Sequence, residues 1–285
     1  MELSDLKIFC TVVEAGGVTR AAERLHRVPS NVTTRIRQLE EELGTNLFSR
    51  DGRQLILSPA GHTLLGYAKQ LNALAQAARE ALNTTEPRGS LRLGSMEAAA
   101  AVRLPTPLAR YHARYPAVTL ELSTGPTAQL IARVLAGEIE AAIAADVQDD
   151  PRLETMPAFT EALVLVAAAG HPAIRGPEDV PQASLLAFPA GCAYRQRLET
   201  WFGAQGARPA RIVELGSYHA MLGCAVAGMG VALVPESLLA AFSGRAGLSE
   251  HRLAGLTGKS ETVLAWRAGT QSPRIKALIA LLQDV

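Results

Sequence analysis

The stretch from Val18 to Arg53, VTRAAERLHRVPSNVTTRIRQLEEELGTNLFSRDGR, constrains this chain more than any other. Within it Ala22 and Leu25 fall on one helical face, with Thr19 placed to cap the helix start. Further on, Val32, Ile36, Leu39 and Leu43 recur at i, i+4, i+7 and i+11, a continuous apolar stripe. Pro29 suits the first turn of this second helix, where its missing N–H loses no helical partner. Two short helices joined by a tight turn predict a helix-turn-helix.

The face opposite the stripe carries Ser30, Thr34 and Arg37, flanked by Asn31 and Thr33, with Pro29 at its start and Arg35 on its shoulder. Short hydroxyls and amides read base edges, and Arg reaches guanine or phosphate. From Arg20 to Arg37 there are five Arg and one Glu, a local excess of +4. A solvated helical hairpin would show much of this pattern, but the residues that follow strengthen the nucleic-acid reading. Asn46 to Leu57 reads as strand, Asp51-Gly52 turn, strand: a β-hairpin wing with Arg50 and Arg53 at its shoulders, set to meet the DNA backbone or minor groove.

TRAAERLH, then IRQLEEELGTNLFSR, then LSPAG, in that order, resemble the LysR-type transcriptional regulators. The resemblance is specific over residues 1–65 and extends with weaker motifs to the end of the chain. At the start of the second helix, where that family often carries Ser-Gln-Pro, this chain has Val28-Pro29-Ser30. The fold tolerates that departure, but base preferences of other members do not carry over.

The 285 residues leave room for a small domain and one or two larger ones, and 48% hydrophobic against 19% charged residues fits a sizeable core. Net charge is only +1, and residues 1–87 hold ten Lys/Arg against ten Asp/Glu. Bulk charge therefore says nothing for nucleic acid; the local cluster and the wing carry that reading. Three cysteines, Cys10, Cys192 and Cys224, are too few and too odd in number for a disulfide framework. Glu2 and Asp5 stand where a signal peptide would be basic, and no apolar run reaches membrane-spanning length, so the expected location is cytoplasmic, with no membrane partner.

Leu3, Leu6, Phe9/Cys10 and Val13 predict a first helix over 3–15, closed by Gly16-Gly17, with Cys10 a small buried hydrophobe. Ser58-Pro59 starts another helix. Its Leu64, Ala68, Leu71, Ala75, Ala78 and Leu82 form a heptad seam that reads better as a dimerisation helix than as a packed surface helix. Thr84 to Ser90 is a polar linker. Beyond it strands and helices alternate: Leu91–Gly94, a helix to Tyr115, Val118–Ser123, a helix over Thr127–Ala136 and Ala141–Ala144. Ala162–Ala167 crosses to a second half that repeats the rhythm through Leu185–Phe188, Ile212–Leu215 and Val231–Val234. Val263–Trp266 and a helix from Pro273 return to the first half. The expected fold is α/β: a winged helix-turn-helix (1–58), a linker helix (59–87) and a regulatory domain (88–285). The last resembles a periplasmic solute-binding protein, with lobe I about 88–161 and 267–285 and lobe II about 162–266, as the LysR resemblance implies.

Ligands of parallel α/β sheets sit at strand carboxyl ends, near free helix N–H groups. Four such loops, Gly94–Glu97, Thr124–Thr127, Pro189–Arg195 and Gly216–His219, supply Ser95, Met96 and Glu97; Thr124 and Thr127; Cys192, Tyr194 and Arg195; and Ser217 and His219. The hydroxyls among them serve equally well as helix caps; convergence of four loops on one cleft is the stronger argument. Helix ends plus Arg195 favour a small polar, anionic metabolite, while Glu97 favours an amine or hydroxyl as well. Cys192 before a helix invites a lowered thiol pKa, a pairing with His219, or a redox switch with Cys224. Nothing fixes either pairing, and polar lining or packing is the simpler reading. Gly228-Met229-Gly230 lacks the third glycine of a dinucleotide fingerprint and follows a helix, so it reads as a turn into a buried strand. Histidines and cysteines show no metal-ligand spacing, and no cofactor or catalytic residue is assigned.

The function so implied is an effector-modulated DNA-binding regulator, not an enzyme. It would bind a double-stranded operator of dyad symmetry as a homodimer or homotetramer, the resemblance favouring four chains. The competing reading is a cytoplasmic solute-binding or enzymatic α/β domain with an incidental helical head; it lacks both a signal peptide and a convergent catalytic set.

Overall fold

A computed structural model describes residues 1–51, 54–82, 86–180, 183–204, 206–253 and 258–283, without the side chains of Arg50, Asp51, Gln54, Ala77, Glu80, Ala81 and Leu82. Its contacts divide the chain into two compact units, one built on Met1–Thr84 and one on Thr85–Leu135 with Ile139–Val285.

The first unit opens with α1 (Leu3–Ala15), α2 (Val18–Arg24) and α3 (Pro29–Leu43). α1 ends where Gly16 takes φ 65°, a left-handed turn that glycine adopts at little cost. Thr19, expected as a cap, lies inside α2: Gly17 is the N-cap, and no side chain caps that helix. The turn into α3 is made by His26 at φ 52°. Pro29 begins α3, and Val32, Ile36 and Leu39 bury their stripe against Leu6, Phe9 and Val12 of α1. Leu43, the last of the expected stripe, is exposed.

β1 (Phe48–Asp51) and β2 (Gln54–Leu57) pair antiparallel from Phe48↔Leu57 to Asp51↔Gln54. The Gly52 half of the expected turn, and Arg53, lie outside the described residues. Three residues bind this hairpin to its neighbours. Glu40 of α3 accepts from the Leu47 and Phe48 N–H groups at 2.7 and 3.2 Å. Ser58 donates to the Asn46 carbonyl at 2.7 Å and accepts from Gly61 N–H at 2.9 Å, capping α4 (Pro59–Leu82). Gly61 is packed so closely that a Cβ there would run into the Leu47 carbonyl oxygen.

The 24-residue α4 divides its apolar residues between two duties. Leu64, Leu65 and Ala68 pack into the core of the first unit, so the expected seam loses its first members to the chain's own interior. The exposed apolar stripe keeps Leu71 and Ala78 of that seam and adds Tyr67 and Leu74, both more than 60% exposed. The expected linker from Thr84 to Ser90 falls partly on residues 83–85, outside the described residues.

In the second unit β3 (Gly89–Ser95) runs parallel to β4 (Val118–Thr124) and β5 (Ala141–Ala145). The expected single helix to Tyr115 is two, α5 (Glu97–Val102) and α6 (Pro105–Arg114), because Pro105 and Pro107 fit a first turn and not a helix interior. α7 (Thr127–Leu135) crosses from β4 to β5. β6 (Leu153–Ala168) is 16 residues long, and only its buried second half was expected. Its first half carries Pro157 where the register against β11 (Lys259–Arg267) shifts between Thr262 and Val263, a place a sheet accepts proline. β11 also pairs with β5 over Thr262–Trp266. It therefore lies in the first half's sheet, as the expected return of Val263–Trp266 requires and the lobe boundary at 266 does not.

The second half holds β7 (Ser184–Ala187), α8 (Ala193–Ala204), β8 (Arg211–Glu214), α9 (Tyr218–Val226), β9 (Ala232–Pro235), α10 (Glu236–Ala240) and the unexpected β10 (Leu248–His251). β7 and β8 are parallel, while β9 and β10 flank the end of β6 antiparallel. A Leu185↔Val231 bridge joins β7 to the start of β9. Here the two glycines of Gly228-Met229-Gly230 find their purpose. Gly228 takes φ 77°, and a Cβ on Gly230 would strike the Ser184 carbonyl. α11 (Pro273–Gln283) closes the chain on the first half's core with Leu278, Leu281 and Leu282.

Candidate functional site

Four parallel-strand ends build the site. β3 stops at Ser95 and Met96 caps α5; β4 stops at Thr124 before Gly125-Pro126 and α7; β7 leads through Phe188-Pro189 to α8; β8 leads through Gly216-Ser217 to α9. Between them lies a cavity of about 190 Å³ lined by Met96, Glu97, Thr124, Thr127, Cys192 and Tyr194 together with further residues of the same four loops and two from outside them. The loop before α8 reaches the first half directly, where Ala128 N–H donates to the Gly191 carbonyl at 3.2 Å.

Four expected residues are elsewhere. Ser95 is fully buried and donates to the Met96 carbonyl at 2.9 Å, a structural role. Arg195 is held by Glu199 at 2.8 Å, Glu214 at 2.6 Å and the Phe188 carbonyl at 3.2 Å, and does not line the cavity. Ser217 caps α9 by accepting from His219 N–H at 3.2 Å. His219 is exposed, its ring set edge-on to Phe242. In its place the preceding residue, Tyr218, is buried in the wall with Phe188, ring centroids 4.7 Å apart. Tyr218 opens α9 and faces inward, and His219, the next residue, is turned about 100° away around the helix. Gly125, Pro126, Gln129, Phe188, Pro189 and Gly216 complete the lining. Of these, Gln129 and Phe188 lie outside the four expected loops; the Phe-Pro pair at the end of β7 was the signal that could have found Phe188.

The electrostatics differ from the expectation as well. No Lys, Arg or His is among the described lining residues. Glu97 has one carboxylate oxygen buried without a hydrogen-bond partner. Burial pushes its pKa above the ordinary carboxylate value, against the pull of the Tyr218 N–H and His219. Burial likewise raises the Cys192 thiol, so helix position does not make it a thiolate. Burial, against the pull of the neighbouring Ser260 hydroxyl, raises the Tyr194 pKa and holds it neutral. Among the described residues no cluster of three His, Cys, Asp or Glu could hold a metal, and no helix is long and apolar enough to cross a membrane.

In the first unit, Ser30, Asn31, Thr33, Thr34 and Arg37 share an open face of α3 with Pro29 at its start. Arg27 donates to the Asn31 side chain at 3.1 Å and Thr33 to the Pro29 carbonyl at 3.0 Å. Arg37 pairs with Glu41 at 2.9 Å while remaining largely exposed. Arg35 is turned back to Asp5 and Ser4 of α1. The Arg50 side chain and all of Arg53 lie outside the described residues.

Residues 3–62 match the family description "Bacterial regulatory helix-turn-helix protein, lysR family", and residues 84–285 match "LysR substrate binding domain". The chain belongs to the LysR family. Its relatives include the HTH-type transcriptional regulator GltR of Bacillus subtilis, 35% identical over 100% of this chain and 97% of that one. The HTH-type transcriptional regulator SoxR of Arthrobacter sp. is 34% identical over 95% and 92%. A full-length OxyR variant from Pseudomonas aeruginosa shares the fold, with TM-score 0.78 and 24% identity over 99% of this chain and 95% of that one. CbnR, a LysR family transcriptional regulator, gives TM-score 0.67 and 25% identity over 100% and 99%, and has also been solved with its target DNA. This LysR-family chain is thus a transcriptional regulator with a helix-turn-helix DNA-binding head and an effector-binding domain, and its relatives are named as regulators, not enzymes.

Proposed function

We propose that the open face of α3 reads operator bases and that the cavity at the strand ends holds the small-molecule effector. Ser30, Asn31, Thr33, Thr34 and Arg37 meet base edges, and Arg50 and Arg53 meet phosphates. The domain division follows: residues 1–58 hold DNA, 59–87 join two chains through the Tyr67–Leu74 stripe, and 88–285 bind effector. A homodimer is the working unit, placing two recognition helices in successive major grooves about 34 Å apart, and pairs of dimers form a tetramer in the cytoplasm.

The observation that carries the effector reading is the convergence of Met96, Glu97, Thr124, Thr127, Cys192 and Tyr194 on one cavity from three separate loops. The ligand is small and polar. Arg195, already paired with Glu199 and Glu214, lends an anionic ligand no support. The operator reading is tested by fluorescence anisotropy of the full chain on its own upstream DNA and on scrambled DNA of equal length. Specific binding is expected to exceed non-specific by about a thousandfold or more; equal affinities would overturn it.

A further inference from the structure

We propose that the effector carries an organic ammonium group, recognised by Glu97. This deepens the effector reading of the same cavity and rests on it. A carboxylate lines the cavity, while no Lys, Arg or His does among the described residues. Arg195, next in sequence to the lining residue Tyr194, is neutralised by two carboxylates of its own. An anionic group brought into this space would meet a like charge with no cationic side chain in the described lining, His219 acting on Glu97 only from outside it. A cationic group meets an acceptor that is short of donors, since one Glu97 oxygen is buried without a hydrogen-bond partner. Leaving such a group unpaired is costly, and a charge-assisted hydrogen bond from an ammonium relieves that cost.

The rest of the wall suits the same ligand. Phe188 and Tyr218 stand together with centroids 4.7 Å apart, and aromatic faces attract cations where water is excluded. Met96, Pro126 and Pro189 give the ligand's carbon skeleton an apolar bed.

The test is calorimetric titration of the full chain with butylamine, isoamylamine and benzylamine, each beside the alcohol and the carboxylate of the same skeleton. The best amine should bind about tenfold or more tighter than both its counterparts, and Glu97→Gln should erase that preference while the alcohol keeps its affinity. The three series on the unmodified chain need no variant, so a Glu97→Gln protein that failed to fold would not rescue the idea. Carboxylates binding tightest, or an amine preference that survives in folded Glu97→Gln, would overturn the ammonium assignment and leave the effector cavity standing. Binding by no member of any series would bring down both.

Discussion

The guanidinium of Arg35 lies 2.5 Å from the carboxylate of Asp5, tying the recognition helix to the first helix of the chain. Asp5 is almost wholly buried, so removing its partner strands a charge in the core. Arg35→Ala should therefore cost about 1–3 kcal/mol, read from the urea midpoint. The salt slope of operator binding should not change. A variant of normal stability whose salt slope falls by one would make Arg35 a phosphate contact instead.

Base reading and backbone holding separate in mutants. Ser30→Ala and Thr34→Ala leave folding intact, since both side chains stand in the open, and should change which operator positions are preferred. Arg50→Ala and Arg53→Ala should weaken binding to every sequence and lower the salt slope by about one per lost phosphate contact. Equal losses on all sequences from both groups of variants would remove Ser30 and Thr34 from the base-reading set.

The outer stripe of α4 predicts assembly. Leu74 is 64% exposed and Tyr67 63%, more apolar surface than a lone helix gains by showing to water. Leu74→Asp should split the dimer without unfolding the head, because Leu64, Leu65 and Ala68 hold α4 to its own core. Light scattering reports the mass; an unchanged mass would put the subunit contact elsewhere.

His251 supplies a pH dependence with a definite sign. Its Nδ1 accepts from the Ile174 N–H at 3.2 Å and its ring meets His171 edge-on. Burial first, then the His171 charge, lowers its pKa from the ordinary value. The unfolded chain thus takes up a proton at this residue before the folded one does. The contribution is complete above the unfolded pKa of about 6.5 and lost as pH falls from there through the lower folded value. His251→Gln, which keeps an acceptor for Ile174, should flatten that part of the stability profile measured by urea melts from pH 7 to 5.

Much of this was legible because local patterns decide local structure. The α3 stripe, Pro29 and Gly16 act within a turn or two, and each does what its spacing implied. Legibility failed where a partner is distant in sequence. Nothing in LETMPAFTE marks a strand until β11, about a hundred residues later, pairs with it. Arg195 looked available until Glu214 came alongside. Glu161, which binds Arg103 at 2.5 Å and Ser237 at 2.8 Å, had no local signal at all. In the cavity, the loops were identifiable as strand ends, but helix phase at α9 chose Tyr218 over His219.

Glu40, Ser58 and Gly61 leave no slack where α3, the hairpin and α4 meet. The head and its helix therefore behave as a single lever. α4 is about 36 Å long at 1.5 Å per residue, and a small rotation at its outer stripe becomes, at Ser30 and Thr34, a displacement multiplied by that arm. Gearing of this kind turns a change in how two copies meet into a change in the distance between two half-sites. Glu40, which accepts from the Leu47 and Phe48 N–H groups, is the joint through which such a motion would reach the open face of α3.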